Sequence, residues 1–263
     1  MQNVKRDAKL TRRRLATLPL RSIHRARNWS KADVSVVEWP LDSGKLVVVK
    51  DLKRSPLWFR VLAGRHFLRR EWIALRALRG LESVPEPIAR IDADAIAIAH
   101  CAGQPATALG DGSLSPAVLQ RVEALVSKLH ARGVVHCDLH GDNILIDEYG
   151  QITLIDWATA GVFGSSVRGA KKWTFDEWAA LDDRAVAKLK VRHAPHLISL
   201  HERDILLNGG SRAYRTIKSL RRVREKLSGK QDVGRFDVVE KLAAHLQNED
   251  VVKGNSSSKS GSN

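Results

Sequence analysis

Along the first hundred residues the hydrophobic pattern changes period twice. "DVSVVEW" (33–39) and "KLVVVKDL" (45–52) are Val-rich runs that predict two strands, and "PLDSG" between them predicts a turn, so the pair reads as a hairpin. From Leu57 the spacing becomes helical: "LWFRVLAGRHFLRREWIALRALRG" predicts a helix that Gly80 stops. Both prolines of "VPEP" push the preceding residue out of the helical region, which predicts a turn. "ARIDADAIAIAH" predicts two short strands, the second being "AIAIAH". "SPAVLQRVEALVSKLHARG" predicts the clearest helix, with Ser115 as its cap, Pro116 in its first turn and Gly133 at its end. Then "VVH", "NILID" and "QITLID" predict short strands joined by polar turns. Beyond residue 175 the pattern predicts helices, with loops at "HAPH" and "LNGG".

The order is a strand-rich first part with one main helix, then a mainly helical second part that carries a short strand cluster. The expectation is an α+β protein of two lobes meeting near His100 to Gly103. Residues 1–30 read as a flexible or loosely helical basic arm, 31–100 as a small lobe, 101–250 as a larger one, and 251–263, with its "KGNSSSKSGSN", as a disordered tail.

Composition narrows the class. A chain of 263 residues with 43% apolar and 28% charged residues can bury a sizeable core and is of the soluble globular type. No apolar run approaches the roughly 20 residues needed to span a bilayer, and the first residues lack a signal peptide's apolar core. Cys101 and Cys137 are too few for a disulfide framework and lack metal-ligand spacing, so a reducing cytoplasm is expected. The net charge is +15, and it is uneven. Residues 1–31 hold ten Lys or Arg against Asp7 alone, and Arg212 to Lys230 hold eight against Glu225. Such a field favours phosphate-rich partners, although charge runs are also ordinary solvated surface.

The chemistry concentrates in "VVHCDLHGDNILIDEYGQITLIDWA" (134–158). Moving a phosphoryl group from a nucleotide needs a cation on the phosphates, a group that orients that cation, oxygen ligands for magnesium and a carboxylate near the attacking hydroxyl. Lys50 lies at the end of a strand, where its amine can project from the sheet edge towards an anion. Glu71 falls about twenty residues later in the first helix, within reach of it. Asp138 follows "VVH", and Asn143 comes five residues later, a loop that lets a base and a metal-binding amide face one point. Asp156 closes the neighbouring strand and is an oxygen ligand of the kind hard cations prefer. Each has a plainer reading: Lys50 as an exposed charge, Glu71 as a helix-surface partner of Arg69, Arg70 or Arg76, Asp138 as a turn residue. The set in this order favours chemistry. Asp142 and Asp147 read as turn residues, Cys137 as packing, Trp157 as core, and His140 as either loop brace or substrate contact.

"HCDLHGDN" resembles the catalytic loop H-x-D-x-x-x-x-N of protein-kinase-like phosphotransferases, "LIDW" their magnesium motif, and "VVVK" with "RREW" their strand Lys and helix Glu. His140 stands where protein kinases commonly have Lys and is similar to the second His of "HGDLHxxN" in aminoglycoside and choline kinases. The resemblance covers roughly residues 30 to 190 and, within the superfamily, looks most like bacterial RIO-like and lipopolysaccharide core kinases. It implies a bilobal protein-kinase-like fold, with a β-rich N-lobe and a helical C-lobe. It implies ATP and Mg2+ as cofactors, Asp138 as catalytic base, Asn143 and Asp156 as magnesium ligands, Lys50 on the nucleotide phosphates, Glu71 holding Lys50, and His136 bracing the loop. It further implies an anionic acceptor, a lipopolysaccharide-core sugar, met at the inner face of the plasma membrane. Three departures stand out. No G-x-G-x-x-G precedes Lys50, where only "ARNWSKA" could cover the phosphates; Ala158 replaces the usual Gly; and no A-P-E segment follows.

Three other readings use parts of the same evidence. A serine/threonine kinase would use the same residues on a protein, and a non-catalytic pseudokinase would explain the missing Gly-rich loop. A nucleic-acid-binding protein rests on charge alone, lacks base-stacking aromatics in its basic arms, and is not expected. Finally, "KRSPLWFRVLAGRHFLRR" (53–70) interleaves Trp58, Phe59, Val61, Leu62, Phe67 and Leu68 with six basic residues and no acid. That suits an amphipathic helix on an anionic membrane, or a helix packed on the small lobe with its basic side in water.

Overall fold

The computed structural model describes residues 10–24, 32–41 and 43–207. The "ARNWSKA" cover except Ala32, the basic run 212–230 and the tail 251–263 lie outside the described residues. The described chain begins with a one-turn helix α1 (Arg12–Leu15) and strand β1 (Arg21–His24), followed by the expected hairpin β2 (Asp33–Glu38) and β3 (Leu46–Asp51). The first helix comes in three continuous parts: α2 (Leu57–Phe59), a π-helical turn over Arg60–Gly64, and α3 (Arg65–Ala77). Strands β4 (Pro87–Arg90) and β5 (Ala95–Ala99) complete an antiparallel sheet of order β1-β2-β3-β5-β4.

Alternation along β3 gives this sheet two different faces. Val47 and Val49 face outward and are buried with Val37, Ala89 and Ala97 under Leu10, Leu15 and Leu18. Val48 faces the other way with Ile96 and Ile98, towards the core that α3 joins through Leu68, Ala74, Leu75 and Leu78. Lys50 shares that inner face by period two. Two expectations are corrected here. Residues 10–24 are not a loose basic arm: Arg12 pairs with Asp51 and with Asp92 (2.7 Å), and three leucines cover the sheet. Lys50 projects from the face of a central strand, because β3 is flanked by β2 and β5, and not from a sheet edge.

After β5 the chain runs on through His100–Gly103. It forms β6 (Gln104–Pro105), a 3-10 turn (Ala106–Leu109) and helix α4 (Pro116–Ala131). Ser115 caps α4 as expected, its hydroxyl accepting from the Val118 N–H. Strand β7 (Val134–Val135) precedes a 3-10 turn (Gly141–Asn143), and then come β8 (Ile144–Ile146), β9 (Ile152–Leu154) and β10 (Gly161–Val162). Helix α5 (Ala170–His193), a 3-10 turn (Pro195–Leu197) and α6 (Leu200–Leu207) follow; the sheets are β6-β8-β9 and β10-β7, with β7 against α4 and α5, β9 against α4, and α6 against α5. The two-residue strands β6 and β10 were not foreseen, being too short for a periodic signal.

Gly133 shows how tightly the stretch after α4 is anchored. Its φ of +67° ends α4, and a Cβ there would run into the backbone of Gly164. Its carbonyl also accepts from the Phe163 N–H at 2.8 Å. Gly133→Ala therefore adds a backbone clash to the roughly 1–2 kcal/mol of a left-handed L-residue. Thermal denaturation should show a melting temperature lowered by about 4 °C or more; an unchanged value would refute this account of the turn.

Candidate active site

Five side chains singled out from the sequence converge where the lobes meet. The Lys50 ammonium donates to Glu71 Oε1 at 2.7 Å and lies 3.4 Å from Asp156 Oδ1. Glu71 is only 1% exposed and sits in the same buried stripe of α3 as Leu68, Ala74 and Leu75. This overturns its reading as a surface partner of neighbouring arginines. A carboxylate so buried needs a cation, and Lys50 supplies it. Burial works against the Lys50 ammonium, but Glu71 and then Asp156 more than offset it, so its pKa lies above the ordinary value.

The strand ladder brings the second half of the site together. In β8 and β9, Ile144 is paired with Leu154, and the Ile155 N–H donates to the Asn143 carbonyl at 2.9 Å. Asn143 is thereby fixed opposite the residue that precedes Asp156. The Asn143 amide Nδ2 also donates to the Asp138 carbonyl at 2.9 Å, drawing the loop 138–143 into a tight turn. Asp138 and Asp156 keep about half of their side-chain surface exposed. Cys137 and Asp156 both have left-handed backbones, φ +66° and +63°. For Cys137 in particular this is a costly conformation, and it lies directly beside Asp138.

The loop is held from beneath by a residue that sequence reasoning missed. Asp182 of α5 is fully buried, and its carboxylate accepts the N–H groups of His136 (2.7 Å) and Cys137 (2.8 Å). The His130 ring nitrogen Nε2 is 3.3 Å away. A signal was present: Asp182 falls in register with Ala179, Val186 and Leu189 on the buried side of α5, an acid in an apolar stripe. His136 braces the loop as expected, its ring packed 4.6 Å from that of Trp157 and its Nε2 3.0 Å from the Ile155 carbonyl. Trp157 is core, with its indole N–H given to the Leu154 carbonyl.

The remaining candidates settle into place. Burial, then Asp182, pushes the Cys137 thiol up to about 12, which leaves it protonated and unreactive. Asp147 is a turn residue, accepting from the Tyr149 and Gln151 N–H groups, and Asp142 pairs with the Thr107 hydroxyl. His140 lies between acids, Nε2 at 3.7 Å from Asp138 Oδ2 and Nδ1 at 3.6 Å from Asp142 Oδ2. Its pKa is raised above 6.5, chiefly by Asp138.

Among the described residues no three His, Cys, Asp or Glu side chains form a metal cage. The oxygen donors at hand are the Asn143 amide and the Asp156 carboxylate. That set fits magnesium, which is commonly held by one or two protein oxygens and completes its shell with substrate phosphates and water.

Comparison with known proteins agrees with this geometry. Residues 58–163 match the family model of the phosphotransferase enzyme family APH. Short stretches are similar to curated serine/threonine kinases. The identity is 40% over 43 residues to PknD of Chlamydia trachomatis serovar D, covering 16% of this chain and 5% of that protein. It is also 40% over 47 residues to the cGMP-dependent protein kinase, isozyme 1, of Drosophila melanogaster, covering 18% and 6%. The matched stretches thus span about a twentieth of those relatives' length. Over 96% of this chain and 81% of the other, the fold is similar to the Rio2 kinase of Chaetomium thermophilum, solved as an ADP/Mg2+-phosphoaspartate complex (TM-score 0.50, 18% identity). With a five-stranded small lobe, a buried Lys–Glu pair and an Asp–Asn loop on the strand beside a second Asp, the chain has a protein-kinase-like fold, and its residues 58–163 are similar to a phosphotransferase family.

Proposed function

We propose that the protein transfers the γ-phosphoryl group of ATP to a hydroxyl on a lipopolysaccharide-core sugar. The observation that carries the catalytic reading is the Lys50 ammonium held between buried Glu71 and half-exposed Asp156. In this reading Lys50 binds the nucleotide phosphates, and Glu71 fixes its position. Asp138 accepts the proton of the attacking hydroxyl, and Asn143 and Asp156 hold magnesium. Bound there, the metal would neutralise charge developing on the phosphates. Catalysis is then mainly positioning and charge stabilisation. The sugar acceptor is supported by the sequence resemblance and by a cationic chain suited to anionic glycolipids. A protein hydroxyl is the second reading, favoured by the short similarities to serine/threonine kinases.

We place that acceptor at an anionic membrane surface. The surface contact is built by α2 and the π-helical turn. Leu57, Trp58, Val61 and Leu62 are 53–76% exposed in one stretch, flanked by the exposed Lys53, Arg54 and Arg69. Phe59, grouped with this face from sequence, is buried, and Gly64 packs against it and Leu52. Asp94 pairs with both Arg60 and Arg65, which pull its carboxyl down to about 2, so the base of the protrusion is pinned while its apolar tip stays outward. An apolar tip with a cationic rim complements an anionic leaflet. No described helix is long and apolar enough to cross a membrane.

Three measurements test these assignments. Magnesium-dependent ATP turnover should rise with rough-core lipopolysaccharide and fall by about 10²-fold or more in Asp138→Asn. Turnover indifferent to the glycolipid would shift the acceptor to protein, and nucleotide binding without turnover in either form would leave a pseudokinase.

The pH profile tests His140. Protonated, it donates towards Asp138; its raised pKa means that this pairing persists above pH 6.5 and is lost as pH climbs through the raised value. Activity should therefore rise along a limb centred above 6.5, and His140→Gln should abolish that limb.

Sedimentation with vesicles tests the surface. Binding should require anionic lipid, weaken with salt, and drop about tenfold in Trp58→Ala/Leu62→Ala. Equal sedimentation of the variant would remove this contact.

A further inference from the structure

Arg70, the residue before Glu71, ties α3 to the opposite lobe. Its Nε donates to the Ala160 carbonyl at 3.0 Å, and its Nη2 donates to the carbonyls of Thr159 (2.7 Å) and Ala160 (2.8 Å). Its guanidinium also lies 5.8 Å from the Trp178 ring centre on α5. These acceptors are not a passive surface. Thr159 and Ala160 follow directly after Asp156 and Trp157, and the Thr159 hydroxyl donates to the His136 carbonyl at 3.2 Å. The next residues, Gly161 and Val162, pair with Val135 and Val134, the strand leading into the catalytic loop. Gly161 itself fits closely against Trp178 and Phe163. A second arginine repeats the arrangement at the far end of α3, where Arg132 Nη1 donates to the carbonyls of Leu78 (3.1 Å) and Arg79 (3.3 Å).

We propose that Arg70 is a positioning residue that locks α3 to the segment after Asp156, so that Glu71, Lys50 and Asp156 stay assembled without a separate activating step. In protein kinases the corresponding Lys–Glu pair depends on helix placement that activation-loop phosphorylation controls. Here the helix is tied to the second lobe by side chains of the fold itself. Charge-assisted hydrogen bonds from one planar guanidinium to two consecutive carbonyls fix both the height and the rotation of α3. The catalytic consequence rests on the function proposed above; the mechanical one does not.

Two readouts on Arg70→Ala and Arg70→Lys keep these apart. Hydrogen exchange should speed up across Arg65–Ala77 in Arg70→Ala, with exchange in α4 unchanged. Steady-state kinetics should show kcat/KM for MgATP lowered by about 10- to 100-fold, while KM for the acceptor stays within about twofold, the pattern of a displaced nucleotide-side group. Arg70→Lys keeps the charge but cannot reach both carbonyls in the same way, so it should restore neither readout. Unchanged α3 exchange in Arg70→Ala would overturn the lock. Faster α3 exchange with normal kcat/KM would overturn its positioning role. A wild type that turns over no ATP would sink the proposed function, and the exchange of α3 would still decide the lock.

Discussion

Burying one carboxylate constrains much of this molecule. Glu71 is almost wholly removed from solvent inside the apolar stripe of α3, a position that would be strongly unfavourable without a cation at hydrogen-bond distance. Meeting that need requires β3 to present Lys50 on its inner face. This in turn requires the register that sets Val47 and Val49 on the outer face, where Leu10, Leu15 and Leu18 cover them. The N-terminal segment, the sheet and the helix are thus consequences of one another. The pair also leaves the ammonium directed at Asp156, across the boundary between the lobes.

A second constraint operates below the site. The loop that carries Asp138 has few hydrogen bonds of its own, because it is neither helix nor strand between Val135 and Gly141. Asp182 supplies what the backbone lacks by accepting two consecutive N–H groups, and a left-handed Cys137 lets the chain present both to one carboxylate. The geometry of Asp138 therefore depends on a helix more than forty residues away in sequence, and on a side chain that never meets solvent.

Legibility followed periodicity. The hairpin, the α4 helix with its Ser115 cap, and strands β8 and β9 were readable because period and punctuation coincided. Lys50, Glu71, Asp138, Asn143 and Asp156 could be singled out because polar residues near strand ends and tight turns stand out against apolar runs, and the structure joins Lys50 to Glu71 and Asp156 and sets Asn143 beside Asp138. What stayed hidden depends on long-range contact. Arg70 sits in a helix where a charged residue looks like ordinary surface until its partner across the fold is known, and the apolar register of Asp182 marks it as buried without naming the N–H groups it serves. Residues 10–24 read as a loose arm because three leucines among many arginines give a weak local signal, and only the sheet beneath reveals their use. Phe59 belonged by sequence with Trp58, but consecutive residues of helix α2 point about 100° apart, which turns one ring inward and leaves the other exposed.

The largest apolar cluster does not respect the division into lobes. It runs from Leu52, Phe59, Leu75 and Ile98 through Leu125 and Leu129 to Ile144, Leu154 and Trp157 as one body. Folding units are defined by the cores they can complete alone, and neither half of this chain completes its own. The small lobe expressed by itself would expose the inner side of α3, and the large lobe would lose the cover of its catalytic strands. An exchange of lobes between relatives would have to preserve both sides of α3, the one on the sheet and the one against the C-lobe.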